Sequence, residues 1–259
     1  MELSVITVTL NSDRHIADQL RSVQTAGRGF EIEQIVVDNN SSDETVSLIE
    51  RDFPQVKLIK NSANLGFGVA NNQGAKIASG RFFLLLNPDM KMSANGLREL
   101  LDYFKQQPKI GLLGCRLTDE KGKLNLSATP RRLPRLWEVK AIFWKLPHLF
   151  PNILNRYLYR DLDFNKPQQV DTVRGAFMLL RREIYERLGR IFDPRYFIWF
   201  EDVDLCREIK KLGYEVWYSP LLSCQDFVGQ TFRGQNFWWK QWQFFKSAWL
   251  YFSKWGLML

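Results

Sequence analysis

The sequence predicts an α/β fold with a mostly parallel central sheet flanked by helices and a C-terminal amphipathic helix rich in aromatics. Three observations predict it. Short β-branched or apolar runs alternate with helically spaced stripes through the first ninety residues, giving β-α-β-α-β-α-β. One run, Phe82-Phe83-Leu84-Leu85-Leu86, is wholly apolar, as befits a strand covered on both faces. Residues 237–255 interleave Trp, Phe and Lys without a helix breaker.

In order along the chain, residues 3–9 alternate Val, Ile and Thr as a first strand, and Ile16, Leu20 and Val23 mark a helix over 14–23. Residues 34–37 form a strand ending at Asp38, after which Ser41-Ser42-Asp43-Glu44 offers a capping box for a helix running to Glu50. Strand 57–60, helix 67–78 and strand 82–86 follow, and residues 110–114 add another strand. Residues 129–151 hold four prolines among basic and bulky side chains, which predicts a surface excursion suited to a hinge or lid. Residues 173–180 are strand-like. Val203, Leu205, Ile209 and Leu212 form a helical stripe stopped by Gly213, residues 215–218 are the last strand, and 237–255 the closing helix.

A chain of 259 residues suffices for one large domain or a domain with a helical appendage, and 45% hydrophobic with 25% charged residues excludes disordered, collagenous and disulfide-stapled classes. Cys115, Cys206 and Cys224 are odd in number and in no CxxC spacing, so neither a disulfide framework nor a zinc site is signalled and a reducing compartment suits them. With no signal-peptide pattern and no apolar run near the ~18 residues of a span, the chain is expected to be neither exported nor membrane-spanning. The net charge of +8 is concentrated: residues 131–160 carry seven Lys and Arg against Glu138, and residues 225–259 four against Asp226. The last 35 residues also hold 12 of the 36 aromatics. That mixture suits an anionic membrane surface or a nucleic acid, and equally a helix packed on the core with solvated lysines.

Ligands of open α/β sheets bind beyond the carboxyl ends of the strands, and three such ends carry acids. Asp38 is followed by Asn39, Asn40, Ser41, Ser42 and Asp43, groups that could accept from a pyrimidine and bind anions, or simply cap the next helix. Asn87-Pro88-Asp89 ends the apolar strand, where a single carboxylate can hold magnesium together with substrate phosphates, or sit exposed in a proline turn. The run Phe197-Ile198-Trp199-Phe200 breaks into Glu201, Asp202 and Asp204 at a helix start, and because adjacent helical residues diverge, at most one of Glu201 and Asp202 faces a given pocket. The aromatics beside them would wall that pocket or belong to the core. Asn64-Leu65-Gly66-Phe67-Gly68, with Asn71 and Asn72, is neither a P-loop nor a dinucleotide fingerprint, but its glycines and amides fit close approach of a polar ligand.

Taken in order, Ser4-Val5-Ile6-Thr7-Val8-Thr9-Leu10-Asn11, Val36-Val37-Asp38-Asn39-Asn40-Ser41-Ser42-Asp43, Asn64-Leu65-Gly66-Phe67-Gly68, Leu86-Asn87-Pro88-Asp89, Arg174-Gly175-Ala176-Phe177-Met178 and Phe200-Glu201-Asp202-Val203-Asp204-Leu205 resemble the family 2 glycosyltransferases. Within them the pattern is similar to the rhamnosyltransferase-like branch that extends lipid-linked cell-surface glycans, and it covers about nine-tenths of the chain. The resemblance implies a GT-A fold, Rossmann-like, over residues 1–224. Residues 1–115 would form the nucleotide-sugar half, 116–224 the acceptor half, and 225–259 a membrane-interface segment.

The resemblance also implies roles. Asp38 would contact the donor's pyrimidine, with Thr9, Asn11, Asn40, Asn64, Gly66 and Asn87 lining the donor side. Asp89 would be the last acid of the DxD motif, holding Mg2+ or Mn2+, with Asn87 in place of the motif's first Asp. Asp202 would be the catalytic base, with Arg174, Gly175, Ala176, Trp199 and Glu201 on the acceptor side. Where many relatives carry a metal- or diphosphate-binding His, this chain reads Ser223-Cys224-Gln225-Asp226, so Asp226 or Gln225 would take that role. The implied partners are a dTDP- or UDP-sugar, a polyprenyl-diphosphate-linked saccharide and the anionic inner face of the cell membrane, with no nucleic acid. The implied reaction is inverting transfer, of L-rhamnose from dTDP-rhamnose or of a sugar from UDP-galactofuranose, UDP-glucose or UDP-N-acetylglucosamine; the chain could also be a silent sugar-nucleotide- or membrane-binding module.

Overall fold

The computed structural model describes residues 1–125, 130–144, 146–227 and 236–256. Thr129 and Lys145 of the expected excursion, and residues 228–235 and 257–259 of the expected interface segment, lie outside them. The strands are β1 (Leu3–Thr9), β2 (Ile32–Asp38), β3 (Lys57–Lys60), β4 (Phe82–Leu86), β5 (Met90–Met92), β6 (Ile110–Thr118), β7 (Gln168–Gln169), β8 (Phe177–Arg181) and β9 (Glu215–Asp226). The α-helices are α1 (Ile16–Ala26), α2 (Thr45–Asp52), α3 (Phe67–Ile77), α4 (Leu97–Gln106), α5 (Leu136–Phe143), α6 (Arg182–Leu188), α7 (Glu201–Lys211) and α8 (Phe237–Trp255).

The strands form one sheet in the order β3-β2-β1-β4-β8-β6-β9-β5, with β7 paired to β9. β3, β2, β1 and β4 are parallel, so their carboxyl ends share one edge. β8 runs antiparallel to β4, with Phe177 opposite Leu86, which brings the residues before β8 to that same edge. The apolar run of β4 is divided by its pleat. Phe82, Leu84 and Leu86 pack with Val23 of α1 and Leu97, Leu100, Leu101 and Phe104 of α4, whereas Phe83 and Leu85 pack with α3, α6 and α7. A strand covered on both faces has no polar side to alternate with, so its continuous apolar character is required.

Several expectations are corrected. No capping box forms on α2: Glu44 is its N-cap without a side-chain bond, because Ser41 turns back to Asp38 and Asp43 accepts from the Thr45 and Asp13 amides. β8 begins at Phe177, since residues 173–176 are committed to the loop beside the candidate base. β9 runs on through Pro220 to Asp226, its ladder to β6 shifting register between Cys115 and Arg116, so the proline is absorbed at an irregularity. The proline-rich excursion holds α5, which buries Glu138, Val139 and Ala141 after Pro134; Val139 joins Tyr196, Phe200, Ala248, Tyr251 and Phe252 in a separate apolar cluster. α8 has the expected bounds. All three cysteines are buried free thiols. Among the described residues no helix is long and apolar enough to cross a membrane.

Candidate active site

Asp38 ends β2 directly beside Thr9, its partner in the parallel register. Its side chain is buried and held by three donors: Oδ1 accepts from Thr9 Oγ1 (3.0 Å) and Ser41 Oγ (2.5 Å), and Oδ2 from the Ser41 amide (2.9 Å), which leaves Oδ2 a lone pair. These donors hold the carboxylate in one rotamer at the strand end. Asn11 and Asn40 both take left-handed backbone (φ 51° and 71°), which Asn tolerates better than most residues. Asn11 ties the β1 and β2 loops together, accepting from the Ser42 amide through Oδ1 (2.8 Å) while its own amide donates to Ser41 Oγ (2.8 Å). Asn40 is exposed beside them.

Under this edge runs a line of amides that the sequence reading missed. Asn39 Nδ2 donates to the Gly66 carbonyl (3.2 Å), Asn61 Nδ2 to Asn39 Oδ1 (2.9 Å), and Gln73 Nε2 to Asn61 Oδ1 (3.0 Å). The available signal was the position of Asn39 and Asn61 one residue beyond two neighbouring parallel strands. Asn64 accepts from the Gly66 amide. Gly66 has φ +87°, and a Cβ there would lie 2.7 Å from the Phe197 carbonyl oxygen, so its close approach is to the chain itself. Asn71 and Asn72 are likewise occupied by protein: Asn71 bonds the Phe67 carbonyl, and Asn72 clamps Ile191 and Phe192.

At the end of β4, the Asn87 amide donates to the Ala176 carbonyl (3.1 Å). Asp89 is buried, its Oδ1 has no hydrogen-bond partner, and burial raises its pKa. An orphaned carboxylate oxygen in a buried position is what a bound cation would satisfy, so the residue fits the metal-holding role. Among the described residues no three His, Cys, Asp or Glu side chains form a metal cluster, so an ion here would lean on Asp89 and the substrate's phosphates. β5 pairs with β9, setting Met90 opposite Asp226 and Lys91 opposite Gln225, and the Phe227 amide donates to the Asp89 carbonyl (3.1 Å). Asp226 Oδ2 lies 3.5 Å from Asn125 Nδ2. His15, from the loop after β1, stacks on Phe227 with ring centres 5.5 Å apart.

The third acidic end follows two consecutive left-handed residues, Trp199 (φ 64°) and Phe200 (φ 67°). For side chains this large each costs roughly 1–3 kcal/mol, and such conformations persist where the surroundings over-determine them. The kink sends Glu201 and Asp202 in different directions. Glu201 is buried with Oε2 unpartnered, and burial, then the charge of Asp202, pushes its pKa from 4.5 up to about 8. Glu201 therefore holds a proton at neutral pH. Asp202, half-buried, accepts from the Gly175 amide through Oδ2 (3.1 Å) and from the Val203 amide through Oδ1 (2.8 Å). With Glu201 buried and its pKa raised, Asp202, held by the Gly175 amide beside the end of β4, is the carboxyl of the pair placed to accept a proton. Exposed Arg174 places positive charge near this pair. Arg131, which the sequence reading placed only within a basic patch, lies 5.3 Å over the Tyr157 ring and within electrostatic reach of Arg174 and Asp202.

The three acids thus belong to one edge: Asp38 after β2, Asp89 after β4, and Asp202 joined to that edge by Gly175, whose neighbour Ala176 receives Asn87. This arrangement on a GT-A sheet is that of a glycosyltransferase. The sequence pattern described as glycosyl transferase family 2 matches residues 4–189, and the chain belongs to that family. It is 29% identical over 235 residues to the N-acetylglucosaminyl-diphospho-decaprenol L-rhamnosyltransferase of Mycobacterium tuberculosis, covering 84% of this chain and 73% of the relative. It is 26% identical to rhamnosyltransferase WbbL of Escherichia coli, covering 73% and 75%. Among solved structures, the mannosyltransferase PcManGT of Pyrobaculum calidifontis in complex with GDP-Man and Mn2+ superposes with a TM-score of 0.61 at 21% identity, over 95% of this chain and 64% of that one. TarS 1-349 of S. aureus in complex with UDP gives 0.60 at 19%, over 87% of this chain and 60% of that one, so this chain spans about three-fifths of it.

Proposed function

We propose that the protein is an inverting, metal-dependent transferase that moves L-rhamnose from dTDP-rhamnose to a hydroxyl of a polyprenyl-diphosphate-linked saccharide at the inner face of the cell membrane. The observation that carries the reading is the bonded path across the sheet edge, from Asn87 to Ala176 (3.1 Å) and from Gly175 to Asp202 (3.1 Å), which sets a free-lone-pair carboxylate beside the strand end that bears Asp89. Both the mycobacterial and the Escherichia coli relatives support rhamnose as the sugar, and the mycobacterial one supports a lipid-linked acceptor.

Asp38, locked by Thr9 and Ser41, receives the base of the nucleotide. Asp202 takes the proton of the acceptor hydroxyl as that oxygen bonds to the anomeric carbon from the face opposite the leaving diphosphate; the bond from that carbon to the diphosphate oxygen breaks and the centre inverts. The diphosphate is already a good leaving group, so the second carboxylate of a glycosidase is not needed. Asp89 would hold a divalent cation, which when bound would neutralise charge on the diphosphate. Protonated Glu201 offers a hydrogen bond on the acceptor side, and Arg174 a positive charge.

The lipid-linked acceptor calls for a membrane surface. α8 turns Trp238, Trp242, Phe245 and Trp249 outward at helical spacing, and Trp144, Leu149 and Phe150 are exposed as well. Phe143 and Phe245, with ring centres 4.3 Å apart, join α5 to α8 at this surface. Trp at a surface that also carries Lys140, Lys240 and Lys246 suits an anionic lipid interface. The test is a donor panel with magnesium or manganese, with and without chelator, scored by thermal stabilisation and turnover. Asp202→Asn is expected to abolish turnover while sparing stabilisation by dTDP-rhamnose; retention of turnover would remove Asp202 as the base, and stabilisation by UDP-sugars alone would replace the donor.

A further inference from the structure

The loop that delivers Glu201 and Asp202 is gripped from outside the sheet by α8. Ser247, 2% exposed, donates from Oγ to the Ile198 carbonyl (2.7 Å). Phe244 packs against Trp199 (6.2 Å between ring centres) and Phe200 (5.6 Å), and Tyr251 against Phe200 (5.4 Å). One turn further, Lys254 Nζ bonds Asp204 (2.8 Å) and Glu208 (2.6 Å) of α7, and Trp255 Nε1 bonds Asp204 (2.6 Å). α8 therefore holds the chain on both sides of Asp202. The loop's opposite side is fixed to the donor half, where the Phe197 carbonyl accepts from the Phe67 amide (2.9 Å) at the start of α3.

We propose that Ser247 is a positioning residue for the base: with the aromatic face of α8 it maintains the left-handed pair Trp199–Phe200, and through that pair it sets where Asp202 stands relative to Gly175 and the end of β4. The physical ground is that two consecutive bulky residues at positive φ have no local reason to stay there. Ser247 provides a hydrogen bond to Ile198, the residue just before the kink, and the packing of Phe244 and Tyr251 leaves the rings one place to lie. The helix with the outward tryptophans thus governs the geometry of the base from its inner face. The statement that this geometry matters for sugar transfer rests on the function proposed above; the statement that Ser247 sets it does not.

The test compares Ser247→Ala with Ser22→Ala, a control that removes another buried serine hydroxyl, one that donates to the Gln19 carbonyl (2.7 Å) and accepts from the Met92 amide (3.1 Å) on the far layer of the sheet, and so costs the fold at least as many hydrogen bonds. Hydrogen exchange at the Gly175 amide, whose acceptor is Asp202 Oδ2, reads the position of the base without any substrate. Ser247→Ala is expected to speed that exchange roughly tenfold, Ser22→Ala to leave it unchanged, and Ser247→Thr, which keeps the hydroxyl, to restore most of the protection. With dTDP-rhamnose, Mn2+ and a short-chain polyprenyl-diphosphate N-acetylglucosamine, Ser247→Ala is expected to lower kcat about tenfold to a hundredfold while the donor KM stays within a factor of about two. Unchanged Gly175 exchange in Ser247→Ala, or equal loss in Ser22→Ala, would overturn the proposal. Absence of turnover by the unmodified protein would count against the function and leave the exchange result to decide the role of Ser247.

Discussion

Replacing Glu201 by Gln is expected to remove a pH dependence of stability that the native protein carries between pH 5 and pH 7. Glu201 is buried, its Oε2 lacks a partner, and its pKa stands at about 8 against an ordinary value of 4.5. A carboxyl with a raised folded pKa keeps its proton in the native state after the unfolded chain has lost it. Its contribution to stability is therefore complete below about pH 4.5 and is lost progressively as pH rises toward 8. At about 1.4 kcal/mol per pH unit, less the curvature near each end, the native protein should lose about 2–3 kcal/mol through this group between pH 5 and pH 7. The Gln variant, of nearly the same shape, has nothing to titrate there. Urea unfolding of both proteins at the two pH values isolates the effect, because any constant cost of burying the amide cancels in the double difference. Parallel stability changes in the two proteins would refute the assignment of the proton to Glu201, and with it the argument that leaves Asp202 as the base.

Asp89→Asn is expected to leave the metal-free protein as stable or slightly more so at neutral pH, since a buried carboxyl with a raised pKa is lost, and to abolish metal-dependent stabilisation by the donor; retained stabilisation in a thermal scan would move the metal elsewhere. Gly66→Ala places a Cβ 2.7 Å from the Phe197 carbonyl at φ +87°, and should cost about 2 kcal/mol or more in urea unfolding, with weaker donor binding; a loss below about 0.5 kcal/mol would mean that the loop yields freely. Trp242→Ser combined with Trp249→Ser, at positions 68% and 70% exposed, should change stability by no more than about 0.5 kcal/mol and weaken binding to phosphatidylglycerol-containing vesicles at least tenfold; unaltered sedimentation with vesicles would discard α8 as the membrane face.

Local pattern was enough to read the alternating elements of the amino-terminal half. β1, β2 and β4 are apolar for most of their length because they are covered, the edge strand β3 keeps Leu58 and Ile59 half-buried between exposed lysines, and each loop is polar because it meets solvent at the sheet edge. Asp38, Asp89 and the Glu201-Asp202 pair were legible for a related reason: an acid that ends an apolar strand or opens a helix after an aromatic run stands out against its own neighbours, and only the resemblance singled out Asp202 of the pair. Helix α8 was readable from its length without breakers, although nothing local told which of its aromatics would face outward.

What only the tertiary structure decided is how distant segments meet. β8 enters antiparallel beside β4, and this long-range pairing carries Gly175 to Asp202 and Ala176 to Asn87. β9 continues past Pro220 because β6 accepts an irregular ladder, a tolerance that belongs to the partner strand. The two acids at 201 and 202 look alike in sequence. Their surroundings differ: burial raises the pKa of Glu201, whereas Asp202 receives an amide that the chain delivers from 27 residues away. The left-handed turn before them is held by α8, whose Ser247 lies 49 residues beyond Ile198. The sequence by itself determined which segments become strands and helices and which acids stand at their ends, since those depend on neighbours within a few positions. Protonation, strain and orientation were decided by the tertiary structure, because each depends on the dielectric and the contacts that folding assembles from residues far apart in the chain.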